Sequence, residues 1–421
     1  MQPQPASTAT AAAGSGDRLS IDPRANGFIQ DPYPAYARIH ARSPAFFWEQ
    51  YGHWCLAGYQ AVDALLRDRR FGRQILHVAT RAELGWPERP AHLRDFDALE
   101  RHSLLELEAP AHTKLRRLIT KAFVARQVER LRPQVRALCH RLIDGFEADG
   151  SAELLAAYAT PIPLETICRL LGVPVSAGPQ LLDWSHAIVK MYVLAPTMDA
   201  QIAANAAARD FAAFLRDHIA ARRAAPGDDL LSALIAAEDG GATLSEDELV
   251  STVVLLLNAG HEATVHQIGN ALHSILDSGL DPTALFGSPE ATAASVEEAL
   301  RHNAPLHMFT RYALSDIDLD VEGRVLPLRK GERIGLLLGA ANRDPRRFAA
   351  PHAFDPGRAD QANVSFGAGI HFCIGAPLAR IEIQEALSVL FARLPGLRFA
   401  ERPRYGDTYH FRGLERAAIK W

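Results

Sequence analysis

The chain has 421 residues, with 45 Lys and Arg against 49 Asp and Glu, a formal charge of −4, and 48% hydrophobic residues. That length leaves room for a large core or several domains, and the near-neutral balance argues against bulk nucleic-acid binding. Four cysteines (Cys55, Cys139, Cys168 and Cys373) show no CxxC spacing, which points neither to a zinc site nor to a disulfide framework.

The first three cysteines read as small buried hydrophobes. Residues 1–17 lack the apolar core of a signal peptide, and no run reaches the ~18 apolar residues of a membrane span. A soluble, cytoplasmic protein without a membrane partner is therefore expected.

In chain order, residues 1–25 read as a disordered tail. No Gly/Ser/Pro-rich linker or repeat divides 26–421, which read as a single domain. DPYPAYARIHAR (31–42) is expected to form a first helix. AFFWEQYGHWCLAG (45–58) reads as a hairpin turning at Gln50 to Gly52. The polar stretch 72–103 is too long for an ordinary connection and suggests a functional loop. From about 110 to 302 the apolar residues recur with helical period. Alternating DIDLDV and ERIGLLL then predict strands within 310–337. Short strands are expected to close the chain, giving a mainly α fold with a small β region.

The densest signal is FGAGIHFCIG, Phe366 to Gly375, just before the helix-forming run IGAPLARIEIQEALSVLF. Gly367, Gly369 and Gly375 lack Cβ, so the backbone there can adopt unusual dihedrals and approach a flat macrocycle. Cys373 precedes the helix, where amides and dipole favour a thiolate. A thiolate held this way can ligate haem iron and favour O–O cleavage. A buried cysteine in a glycine-rich turn is the plainer alternative for Cys373 taken alone.

This stretch resembles the haem-binding signature of the cytochrome P-450 superfamily, Phe-Gly-x-Gly-x-His-x-Cys-x-Gly, at every position, and the resemblance runs from about Asp31 to the C-terminus. It implies haem b with Cys373 as proximal metal ligand, Phe366 packed under the ring, and the long central helix on the other side of the haem. Partners for the haem carboxylates would be His112 and Arg116 of HTKLR, Arg311 of FTRYA, and His371. Glu298 and Arg301 of VEEALR, three apart on one helix face, match the family's Glu-x-x-Arg pair, with Arg358 of FDPGR as third member of a structural ion-pair network.

VVLLLNAGHEATVHQ (253–267) matches the family's central-helix pattern Ala-Gly-x-Glu/Asp-Thr, where a bulge makes an oxygen-binding groove. Ala259 and Gly260 would leave room for dioxygen, and Glu262 would relay protons, although pairing with an arginine of a neighbouring helix is the other reading of a glutamate in an apolar helix. The usual threonine is replaced by Ala263. Thr264 comes one place later, about 100° further around the helix, so it cannot simply take over.

The resemblance also places Leu255, Asn258, Ala259, His307, Met308 and Phe309 at the substrate, with Tyr409 to Phe411 and parts of 72–103 and 170–200 closing the pocket. Asn258 and His307 are polar where the family is commonly apolar. They either meet a hydrogen-bonding group of a small-molecule substrate or bind water and backbone.

The resemblance implies the activity of a haem-thiolate monooxygenase, in which one oxygen atom of dioxygen enters the substrate. Electrons would come from a separate ferredoxin or flavodoxin with its reductase, docking near Arg116 and Arg117 of a monomer. Ala263 keeps two alternatives in view, a peroxide-driven or otherwise atypical haem-thiolate enzyme and a non-catalytic docking module.

Overall fold

The computed structural model describes residues 17–123, 128–192 and 196–421. The chain divides into two compact units that interleave along the sequence. One comprises mainly Leu76–Leu131 and Pro163–Glu262. The other comprises the described residues up to Ile75, with Arg132–Ile162 and Ala263–Trp421.

The first unit is helical. Its longest element, Met198–Ala224, buries Ala204, Ala207, Ala208, Phe211, Leu215 and Ile219, a helical stripe. Thr197 caps it by accepting a hydrogen bond from the Ala200 amide. The Asn205 side-chain oxygen accepts from the Asp95 and Phe96 amides. That contact ties down the polar 72–103 stretch, which carries the helix Arg94–Glu100.

The second unit holds a six-stranded sheet. Arg18–Leu19 pairs parallel with Ala45–Trp48, which forms the expected hairpin with His53–Leu56. The sheet continues through Arg333–Leu336 and Phe309–Ala313 to Phe71–Gly72. Gly52 closes the hairpin turn at φ 65°, a conformation that glycine adopts without a Cβ penalty. In Ile317–Val321 the alternation works as read: Ile317, Leu319 and Val321 are buried while Asp318 and Asp320 are exposed.

Two readings need correction. The expected tail 1–25 is structured from residue 17 on, because Arg18 and Leu19 find a strand partner 29 residues away (Phe47 and Trp48), while residues 1–16 lie outside the described residues. The stretch 110–302 also contains a strand, Ser151–Glu153, which pairs with Ala418–Lys420. Its partner comes from the far end of the chain, so no local periodicity announces it.

Helix Ala376–Arg393 packs against Arg132–Asp144 in this unit. Glu385, buried between them, accepts from Arg132 Nη1 at 2.9 Å and Arg136 Nε at 2.6 Å. Among the described residues no helix is long and apolar enough to cross a membrane.

Candidate functional site

The cysteine loop is shaped by backbone hydrogen bonds. The Gly367 amide donates to Val364 O at 2.8 Å, and the Cys373 amide donates to Phe366 O at 3.0 Å. Gly367 and Gly369 lie at φ 70° and 69°. A Cβ on Gly369 would stand 2.5 Å from Leu66 O, so both conformation and space demand glycine there. Gly375 differs from the expectation. It sits at φ −80° as N-cap of Ala376–Arg393, a backbone any residue can adopt.

Cys373 is exposed, whereas Cys55, Cys139 and Cys168 are buried. Burial pushes the Cys139 and Cys168 thiols up to about 12 and about 11, and Cys55 higher still, so these three stay protonated at neutral pH. Phe366 is flanked by Arg380, whose guanidinium lies 4.6 Å from the ring centroid and pairs with Glu297. Sequence reading missed Arg380; its position seven residues after Cys373 on the following helix was the available signal.

Glu298 and Arg301 form a fully buried ion pair with two 2.7 Å hydrogen bonds. Arg301 also donates to Asn342 O, Pro351 O and Ala353 O, each at 2.9 Å. Glu298 accepts from the Asp355 amide at 2.8 Å, with Arg358 Nε 3.5 Å away. The pair is therefore saturated by hydrogen bonds, the condition under which buried charges are tolerated.

His112 and Arg116 sit one turn apart on Ala111–Ala122, His112 buried and Arg116 half-buried. In the second unit, Arg311 is buried on Phe309–Ala313, and His371 is half-buried at the end of a short 3-10 turn. Phe309 lies between Arg311 and the loop: the Arg311 guanidinium is 5.8 Å from its ring, and a Cβ on Gly367 would stand 3.4 Å from it.

The helix Glu246–Ser278 is continuous over 33 residues. It shows no break or π-bulge at Asn258 to Gly260, contrary to the expected groove. Its open side is instead a stripe: Ala259 is exposed, and Leu255, Glu262, Ala263 and His266 are half-buried among buried neighbours. A Cβ on Gly260 would meet Ile167 at an ordinary 3.5 Å. Burial pushes the Glu262 carboxyl up to about 7.

Three expected site residues point elsewhere. Thr264 is buried, roughly 140° around the helix from Ala259, and its hydroxyl faces Glu382 of the cysteine helix. Glu382 is itself buried, and neither oxygen has a hydrogen bond of normal geometry among the described residues. Burial drives its carboxyl well up, and the Thr264 hydroxyl pulls the other way without offsetting it. Thr264 thus serves a buried acid rather than the open stripe.

His307 is fully buried, with Nδ1 2.8 Å from the Tyr36 hydroxyl and its ring among Tyr33, Tyr36 and Tyr409. It belongs to an aromatic cluster beside a small cavity that it lines with Phe28, Pro32, Tyr409 and Arg412, and its amide donates to the His410 carbonyl. Met308 is core as well, and the half-buried Tyr409 ring packs against that core on Phe28 and Trp48.

The residues present fit a haem: the exposed thiol, a loop that rejects a Cβ, an aromatic ring beside it, and the buried guanidinium of Arg311. A mainly helical fold with such a cysteine loop defines a haem-thiolate protein. The chain belongs to the cytochrome P450 family. The family model, Cytochrome P450, matches residues 290–394. The chain is 35% identical to Cytochrome P450 monooxygenase PikC of Streptomyces venezuelae, over 96% of this chain and 94% of that protein. It is 36% identical to Mycinamicin IV hydroxylase/epoxidase of Micromonospora griseorubida, over 87% of this chain and 89% of that protein. Among solved structures, P450BioI in complex with hexadec-9Z-enoic acid ligated acyl carrier protein has a TM-score of 0.85 at 31% identity, covering 94% of this chain and 100% of that one. The protein is a cytochrome P450 monooxygenase that binds haem b.

Proposed function

We propose that the chain oxygenates a small organic substrate bearing a hydrogen-bonding group, with electrons from a separate ferredoxin or flavodoxin and its reductase. Haem, when bound, supplies the one-electron and oxygen chemistry. Cys373 would hold it, His112, Arg116, Arg311 and His371 would neutralise its carboxylates, and Glu298, Arg301 and Arg358 would brace the scaffold. Leu255, Ala259 and Phe309 supply apolar wall. The name of a relative that refers to polyketide biosynthesis supports a polyketide-like substrate, and that of a hydroxylase/epoxidase supports oxygen insertion.

The observation that carries this reading is Glu262: a half-buried carboxyl on the open stripe of the central helix, with its proton affinity raised to about 7. An acid balanced near neutral pH can both take up and release a proton there. The neighbouring Ala263 offers no hydroxyl, so the proton at Glu262 would pass through substrate or water. The test is product formation with redox partners in the native chain and in Glu262→Gln. A peroxide-driven activity is the second reading, favoured by Ala263. Peroxide turnover that equals or exceeds turnover with redox partners, and that is indifferent to Glu262→Gln, would replace the first reading by the second.

A further inference from the structure

Several buried polar atoms have no hydrogen bond among the described residues, Asn258 Oδ1 and His261 Nε2 of the central helix among them. His307 Nε2 is another, and His307 borders a cavity. The cavity measures about 10 Å³ and is lined by His307, Tyr409 and Arg412, with Phe28 and Pro32 as apolar wall. His307 itself is 0% exposed. A Cβ on Gly339 would stand 2.8 Å from its Cε1 and Nδ1 and 3.0 Å from its Cγ, so the Gly339 backbone fills that side of the ring. The remaining edge, Nε2 and Cδ2, is the one left to face the cavity.

The hydrogens of this cluster leave two loose ends. His307 Nδ1 lies 2.8 Å from the Tyr36 hydroxyl, which lies 3.0 Å from the Tyr409 hydroxyl. Burial, and then the guanidiniums of Arg412 and Arg343, hold the His307 proton affinity well down, so the ring is neutral and carries one hydrogen. The three side chains thus own three hydrogens and make two hydrogen bonds among themselves. With Nδ1 donating to Tyr36 and Tyr36 to Tyr409, Nε2 is a bare acceptor and Tyr409 has a hydrogen to give. With the chain reversed, Nε2 carries the hydrogen and the Tyr409 oxygen accepts. In both cases one end is a donor and the other an acceptor, and an unpaired buried end is costly.

A single water accepts at one end and donates at the other, whichever way the chain runs. A cavity of about 10 Å³ is near the minimum for one water and too small for anything larger. An anion would gain little, since Arg412 already donates through Nε, Nη1 and Nη2 to Asn303 Oδ1, Ile29 O and Gln30 O. Thr408, also at the cavity, is exposed and gives water a way in.

We propose that His307 Nε2 and the Tyr409 hydroxyl bind one internal water, which closes a ring of four hydrogen-bonded groups with Tyr36. The ring keys the C-terminal segment onto two distant parts of the chain. Helix Tyr33–His40 supplies Tyr36, and 305–307 is already paired with 410–412, His307 N donating to His410 O and Arg412 N to Pro305 O. The site is independent of the haem chemistry proposed above.

The test is a crystal structure of the haem-loaded full chain at a resolution that orders single waters, compared with the structures of His307→Phe and Tyr409→Phe. In the native chain one water should lie within ~2.7–3.2 Å of both His307 Nε2 and Tyr409 Oη. His307→Phe should lose it, since no ring nitrogen remains. Tyr409→Phe removes a single oxygen, so it tests the site even if His307→Phe fails to fold, and it should lower the occupancy of the water by at least about half. A native structure with no water between the two atoms overturns the site, whether Nε2 stays bare or has turned onto the nearby Ala304 carbonyl. A water held by Arg412 alone, away from Nε2, also overturns it, as does one that keeps full occupancy in Tyr409→Phe.

Discussion

The surroundings of Glu298 and of Asn258 handle buried polarity in opposite ways. Around Glu298 and Arg301, carboxylate and guanidinium oxygens and nitrogens find carbonyls, an amide and a second arginine. Around Asn258 and His261, acceptors of comparable burial are left open. A saturated network fixes one geometry and has nothing left to offer a ligand. An unsaturated one tolerates a local penalty and gains from whatever completes it. The first is closed scaffold, and the second stays open to whatever group or water reaches it.

That contrast can be broken at several points. The largest effect is expected from Cys373→Ser: thiolate ligation, read as the carbon monoxide difference band of the haem-loaded protein, should disappear along with oxygenation. A normal band in this variant would rule Cys373 out as the ligand.

Glu262→Gln should lower product formation by ~10²–10⁴-fold while leaving ligand binding nearly intact. The same variant tests the raised affinity through stability. Between the usual carboxyl value of 4.5 and about 7 the folded chain holds a proton at Glu262 that the unfolded chain releases. Stability should therefore fall as pH rises through that window, and Glu262→Gln should flatten the slope in urea titrations at fixed pH steps.

Arg301→Leu should cost ~3–5 kcal/mol, because Glu298 is left buried without its partner. A loss below ~1 kcal/mol by urea denaturation would show that the network is not structural. Gly369→Ala should cost ~1–3 kcal/mol for the positive φ alone, with the Leu66 carbonyl adding to it. Gly375→Ala should change stability by no more than ~0.5 kcal/mol, since its φ is ordinary and its added Cβ would meet only Cys373 Sγ at 3.9 Å. Equal losses at 369 and 375 would contradict the loop geometry.

Much of the scaffold was legible in the sequence because its signals are local. Strand alternation at Ile317–Val321, the hairpin at Gly52, the helix pairing of Glu298 with Arg301 and the cysteine loop all depend on residues a few positions apart. The strand at Ser151–Glu153 was not legible, since the strand it pairs with lies beyond residue 417. The candidate site was legible in part: the resemblance named Leu255, Ala259, Glu262 and Ala263, which lie along one partly open stripe of the helix, whereas His307 and Met308 are buried.

The sequence by itself determined which groups exist and which share a helix face: one cysteine in a glycine loop, one acid in an apolar helix, and an alanine where a hydroxyl is usual. Only the tertiary structure decided what those groups meet. Thr264 faces Glu382, His307 meets Tyr36, and His261 keeps a bare nitrogen, because each outcome depends on atoms brought in from distant parts of the chain. Local periodicity sets direction around an axis; burial and hydrogen bonding are settled by what packs against it.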